Sequence, residues 1–404
     1  MVTVQESSSS PIDWRTIGAL NLVSTLAQVG QFGIAFVVLP VWLSAQGLDA
    51  TQLGMFASSL WLGQLPGLAL APWLCQRIGA RWVIVAGLLC TVTALGGMAL
   101  GGWPFWLLGG TLAGFGLGLR WIGLEPWLYR IAPAEARGRL VGFHETLIAL
   151  APIVAPLLAG YFGVQGRAVF WIGSLFTLGA LLPLAFARAP AGDELAASSA
   201  NNSPGNRWLP LRERLFRQGV VIALVGGMME AAVSGLFAVF AQGRGMSIGL
   251  TAELLAVFGL GGLLMQYGAG WLADHRGVGT AAISCAAGTA LVSVALALPL
   301  NHALVVLSVF FLGGFITAFL TLALIASTTT PSGNMASNVS MISMLYTVSA
   351  VAGPLLAGAT IKATDGNALM WFTAAAAVVM GIALAYLPHP KPGWNISPPI
   401  NDKE

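Results

Sequence analysis

Charge is what this sequence has least of. Only 8% of its 404 residues are Asp, Glu, Lys or Arg, against about 25% in an ordinary soluble domain, so water is not its main solvent. Cysteine is almost as sparse: Cys75, Cys90 and Cys285 stand far apart in or near apolar stretches, where the residue behaves as a small hydrophobe and implies neither a disulfide framework nor a metal site. Histidine occurs four times, at His144, His275, His302 and His389, three of them at helix ends or in loops. No phosphate-binding Gly-x-x-x-x-Gly-Lys-[Ser/Thr] loop is present, which excludes that route to nucleotide-driven work. No nucleophile stands beside a paired base. The chain therefore does not read as an enzyme, calls for no metal or other cofactor, and offers nothing to a nucleic acid.

Apolar residues fill the space left: 57% of the chain, with a mean hydropathy of +0.82. Runs of roughly 20 such residues, the length that a hydrocarbon core of about 30 Å demands of a helix, recur from about Thr16 to Leu387. Backbone polar groups in lipid must pair within their own segment, and the runs lack the alternation of a barrel strand. The sequence thus predicts an all-α integral membrane protein with twelve transmembrane helices, near 16–45, 50–72, 81–101, 104–129, 140–163, 168–188, 217–241, 250–273, 279–299, 303–328, 337–362 and 367–388. The polar stretch before Thr16 has no basic n-region or apolar h-region of a cleaved signal and reads as a tail. Fourteen of the eighteen Lys and Arg residues fall on the side of the two termini, and only Arg167, Arg244 and Lys362 on the other. Basic residues mark the cytoplasmic side, so both termini are expected there, in a bacterial inner membrane.

The chain also repeats itself. Pro133 recurs as Pro331, Pro156-Leu-Leu-Ala-Gly160 as Pro354-Leu-Leu-Ala-Gly358, and Gly47, Gly63 and Gly79 as Gly245, Gly261 and Gly277, each at a spacing of 198 residues. A repeat that preserves one spacing over several helices indicates two copies of one unit. Residues 1–188 form a first six-helix half with its tail, 189–216 a connector rich in Ser, Asn, Pro and charge, and 217–404 a second half. Within the connector, Trp208 to Phe216 reads either as a basic amphipathic helix on the inner membrane face or as a plain linker.

These features resemble the major facilitator superfamily over essentially the whole chain. The family's loop signature, G-x-x-x-D-[RH]-x-G, stands after helix 8 as Gly270-Trp-Leu-Ala-Asp274-His275-Arg276-Gly277; after helix 2 it has decayed to Pro72, Gln76, Arg77 and Gly79, without the acid. The segment Pro133 to Gly142 is similar to the family's loop into helix 5. The resemblance implies two six-helix bundles related by a pseudo-twofold axis, with helices 1, 4, 7 and 10 lining a central cavity. It further implies a cytoplasmic gate in which Asp274, with Gly270 and Gly277 shaping its loop, meets Arg137 and Arg139 at the start of helix 5. The matching latch at Gln76 has lost its acid, and the loop from Pro331 to Asn338 carries no charge, so the gate is expected to be lopsided.

Ionisable groups inside a bilayer are costly and hence functional candidates. Arg120 lies ten residues before Arg130, about 15 Å into helix 4 at a helical rise. Glu230 lies about 20 Å into helix 7 by the same measure. Within the family's geometry the two would face one aqueous space, Glu230 titrating or Arg120 holding an anionic group; a permanent ion pair between the bundles is the structural alternative. Nearer the cytoplasm, Glu125, His144 and Glu145 share a depth and are proton-coupling candidates together with Glu230. The repeat places Ala318, Ala323, Ile342 and Ser343 opposite Arg120, Glu125, His144 and Glu145, so the charges belong to one copy. Asn21, Gln28 and Gln31 share a helical face and are expected to face cargo, with Trp61, Trp121, Trp127 and Tyr346 as stacking surface or packing. Pro126 either bends helix 4 or is merely accommodated.

The expected function is secondary active transport of a small organic solute by alternating access, proton-coupled and monomeric. One arginine and few acids tilt the cargo toward a compact organic anion or an amphipathic molecule. A scaffold or sensor that does not transport is the competing reading, since fold does not dictate function.

Overall fold

The computed structural model describes residues 13–133, 137–164, 166–188, 209–332 and 335–387. Both tails and most of the connector, Trp208 included, lie outside them, as does the side chain of Arg137. Among the described residues there are twelve helices long and apolar enough to cross a membrane, and no strand. They are α1 (Trp14–Ala45), α2 (Ala50–Ile78), α3 (Ala80–Leu100), α4 (Phe105–Ile131), α5 (Arg139–Phe162), α6 (Ala168–Phe186), α7 (Arg214–Gly243), α8 (Ile248–Arg276), α9 (Val278–Ala297), α10 (His302–Thr329), α11 (Ser337–Ala363) and α12 (Ala368–Tyr386). The part of the connector described is a short 3-10 turn, Leu209–Arg212, after which α7 begins. No amphipathic surface helix forms in it.

Local chemistry explains the boundaries. Asp13 caps α1 by accepting from Thr16 N at 3.0 Å, and Asp49 and Gln52 form a reciprocal box at the start of α2, as expected of these residue types at helix N-termini. Ser247 and Asn301 cap α8 and α10 by accepting from the backbone N–H of Leu250 and Leu304. Between α2 and α3, and again between α8 and α9, a single residue turns the chain: Gly79 at φ +87° and Gly277 at φ +84°. Only glycine takes such a conformation cheaply.

The two copies superimpose their contacts, with one correction. A Cβ on Gly63 would meet Thr111 O, and one on Gly261 would meet Phe310 O; one on Gly114 would meet Leu60 O, and one on Gly313 would meet Phe258 O. Leu60 and Phe258 keep the spacing of 198, whereas Gly114 and Gly313 stand 199 apart. The second copy of this helix is therefore shifted by one residue, and the counterpart of Arg120 is Phe319 rather than Ala318. Its surroundings agree: Arg120 reaches Gln28, and Phe319 packs on Gly226, 198 residues after Gln28.

The halves join on the side of the α1–α2, α7–α8 and α11–α12 loops. There Ser58 Oγ donates to Val351 O at 2.7 Å, Gly54 lies against Pro354, Gly358 against Ala50, and Gly259 against Pro152. At the rim Lys362 Nζ stands 3.6 Å from Asp49 Oδ2. Toward the side of the described chain ends the halves diverge. α5 divides to match: Ala151–Phe162 packs between α8 and the Val29–Val38 part of α1, whereas Arg137–Ile148 packs on the Trp14–Gln28 part of α1. Pro152 opens the second segment, removing a backbone donor. Its repeat partner is Ala350, and α11 runs there without a break.

Candidate functional site: a central cavity beside a buried polar network

A cavity of about 330 Å³ lies between the halves, within the size range of small-molecule sites. The first half lines it with Gln28, Phe32, Trp61, Gln64, Trp121 and Glu145, the second with Phe258, Gln266, Thr321, Ser343, Tyr346 and Glu230. Each of the two lining carboxylates is hydrogen-bonded by a phenol. Tyr346 Oη donates to Glu230 Oε2 across α11 and α7, and Tyr129 Oη donates to Glu145 Oε1 at 3.0 Å across α4 and α5.

Arg120 is not in this cavity. It is 1% exposed and sits inside the first half, where its Nε donates to Gln31 Oε1 at 2.9 Å, its Nη1 to Ser24 Oγ at 3.0 Å and its Nη2 to Gln28 Oε1. The expected meeting with Glu230 does not occur, because each charge has taken neutral partners in its own half. The bonds continue in both directions. Gln31 Nε2 donates to Thr91 Oγ1 at 2.8 Å, while Ser24 Oγ lies 3.5 Å from His144 Nε2 and His144 Nδ1 lies 3.0 Å from Asn21 Oδ1. A continuous polar strand thus runs through α1, α3, α4 and α5. A guanidinium with its three nitrogens satisfied in a fixed fork is the arrangement that burial of an arginine requires.

Several expected positions move as a result. Gln28 lines the cavity while bonding Arg120, but Asn21 and Gln31 turn into the bundle. Asn21, Gln28 and Gln31 do share a face, since all three join the network around Arg120, but that face is turned into the first half, and Gln28 alone of the three also lines the cavity. Trp127 is 1% exposed and packs in the core of the first half. His144 is fully buried against Asn21 and Ser24, so it does not join a carboxylate cluster. Glu125 lies within electrostatic reach of Arg120 and Glu145, yet its Oε1 is buried without a hydrogen-bond partner among the described residues. Pro126 lies inside α4, which continues past it to Ile131. At the gate, Asp274 and Arg139 are both exposed, and Asp274 makes no ion pair among the described residues.

Sequence reasoning overlooked Ser24, Thr91 and Tyr129. Ser24 was visible as the missing member of a polar stripe, three residues after Asn21 and four before Gln28; Tyr129 follows Glu125 at i+4. Thr91 gave no signal, since a lone threonine in an apolar helix normally bonds its own backbone, as this one also does to Gly87 O.

Known proteins share this architecture. Solved structures similar to it include a variant of the nucleoside transporter NupG, with 15% identity, TM-score 0.80 and coverage of 93% of this chain and 100% of that one. Another is a D-xylose-proton symporter, with 16% identity, TM-score 0.75 and coverage of 94% and 98%. At these identities the likeness is one of fold. Among curated sequences, an "Uncharacterized MFS-type transporter" of Yersinia pestis (strain Pestoides F) is 29% identical over 242 residues, 58% of this chain and 62% of that protein. The "Uncharacterized MFS-type transporter YcaD" of Escherichia coli (strain SE11) is 26% identical over 232 residues, 57% of this chain and 59% of that one. The chain thus spans less than two thirds of the length of these relatives. The family model described as Major Facilitator Superfamily matches residues 21–354, and with twelve membrane-spanning helices in two bundles around one cavity, the chain belongs to that superfamily.

Proposed function

We propose that the protein is a secondary active transporter of a bacterial cytoplasmic membrane, moving a small organic solute by alternating access with proton coupling. The observation that carries this reading is a cavity between two homologous halves that touch on one side and diverge on the other. Rocking the halves about such a site would expose it alternately to the two faces of the membrane. With the basic residues taken to mark the inner side, this reading makes the described arrangement an inward-facing state. The similarity to a D-xylose-proton symporter supports proton coupling, as do two titratable carboxyl groups in the cavity wall, each hydrogen-bonded by a phenol. In this reading Glu230 and Glu145 exchange protons with the aqueous space. Arg120, Gln31, Asn21 and His144 hold α1 against α4 and α5, with Glu125 buried beside them. Gln28 and Trp121 contact cargo. In the opposite state, Asp274 meets Arg137 and Arg139 and closes the inner side.

Flux into proteoliposomes, measured for a panel of organic solutes with and without an imposed pH gradient, tests the proposal. Accumulation driven by the gradient is expected. A protein that moves no solute under either condition would instead act as a scaffold or sensor, and gradient-independent equilibration would remove the protons from the mechanism.

A further inference from the structure

The cargo's charge can be read from what the cavity wall contains and what it leaves out. Glu145 and Glu230 are its carboxylates, and no arginine, lysine or histidine lines it among the described residues. The nearby cation, Arg120, is walled off and fully engaged with Gln28, Gln31 and Ser24. Between and around the acids stand Phe32, Trp61, Trp121 and Phe258, with Trp61 in edge-to-face contact with Phe36 at 5.1 Å behind it. An anion entering here would meet two acids and no free donor of positive charge. A cation would meet carboxylates and aromatic faces, the two groups that attract it in a desolvated space.

We infer that this cavity binds an organic cation, an amine or quaternary ammonium carrying an aromatic or branched apolar body, with Glu230 as its counter-charge and Trp61 and Trp121 against its body. The inference rests on the cavity being the cargo site of the function proposed above; of the two cargo classes expected from sequence it sets aside the organic anion and specifies the amphipathic molecule. The expectation of an anion counted Arg120 as facing the cavity. Each acid has one phenol partner; Glu230 is the stronger anchor because it sits deep on α7, whereas Glu145 lies on the exposed inner part of α5.

Tryptophan fluorescence of the purified protein in detergent, titrated with benzyltrimethylammonium and in parallel with benzylsulfonate, tests this directly. Saturable quenching by the cation and none by the anion is expected. Glu230→Gln should weaken cation binding by about 30-fold or more, the lower end of losing one partner of a buried charge pair. Tyr346→Phe, which leaves the carboxylate in place, should shift it far less. Equal binding of the two probes, preference for the sulfonate, or an unchanged affinity in Glu230→Gln would overturn the inference. If Glu230→Gln does not fold, the discrimination between the two probes by the native protein decides alone. The same native protein is assayed for flux separately. Binding of the cation without any flux would refute transport and leave this site standing; flux of solutes without cation selectivity would do the reverse.

Discussion

The two halves of this protein solve one packing problem in opposite ways, and exchanging the solutions gives a sharp test. In the first half, Arg120 on α4 crosses to Gln28 on α1; in the second, Phe319 on α10 packs on Gly226 of α7. A Cβ on Gly226 would fall 2.7 Å from the Phe319 Cβ, so α7 and α10 approach here more closely than a residue with a side chain on α7 would allow, and the ring of Phe319 lies beside the space that glycine leaves. Arg120→Phe alone should therefore lose its three hydrogen bonds, strand the oxygens of Gln28, Gln31 and Ser24, and collide with Gln28. Interhelical bonds in membranes are worth about 0.6 kcal/mol on average and up to about 1.7 kcal/mol, so the loss is roughly 2–5 kcal/mol. At about 2–4 °C per kcal/mol for a bundle of this size, Tm should fall by roughly 4–20 °C. Adding Gln28→Gly costs about 1 kcal/mol as a helical glycine, but it frees the ring and removes one orphaned acceptor. The double variant should thus be more stable than Arg120→Phe, recovering about 2–4 °C, although Gln28→Gly alone destabilises. Thermal unfolding of the four proteins in one detergent measures the coupling. A double variant that loses the sum of the two single losses, or more, would refute the assignment of Phe319 as the counterpart of Arg120 and with it the shifted register.

Further outcomes are expected. Gly277→Ala forces a methyl group onto a backbone at φ +84° and should cost roughly 1–3 kcal/mol, visible as a lowered Tm; Gly270→Ala, a helical position with open space around its Cβ site, should be neutral or slightly stabilising, and equal losses would contradict the turn geometry. With Cys75, Cys90 and Cys285 replaced, Ser343→Cys in the cavity wall should react with a membrane-impermeant thiol reagent applied from the side of the termini and be protected from the other; the opposite pattern would place the opening on the wrong face. Asp274→Asn should increase inward accessibility in the same labelling assay while Gln76→Asp changes little, and equal effects would remove the lopsided gate.

Amino-acid order alone determined the number of spans, their limits to within a few residues at most ends, and the two-copy organisation, because each depends on local quantities: the length of an apolar run, a capping side chain, a glycine where φ must be positive. The pairing of buried polar groups was beyond it. Arg120 and Glu230 look alike from sequence, two charges near the middle of two cavity-lining helices, yet one is absorbed by Gln28, Gln31 and Ser24 and the other faces open space. That difference turns on the orientation of α4 about its axis, which carries Arg120 to Gln28, Gln31 and Ser24, and on that of α7, which leaves Glu230 at the cavity wall. Each is a matter of a fraction of a helical turn, which periodicity does not resolve but which decides, in a medium without water to satisfy a stray charge, whether a group is cargo-facing or part of the scaffold.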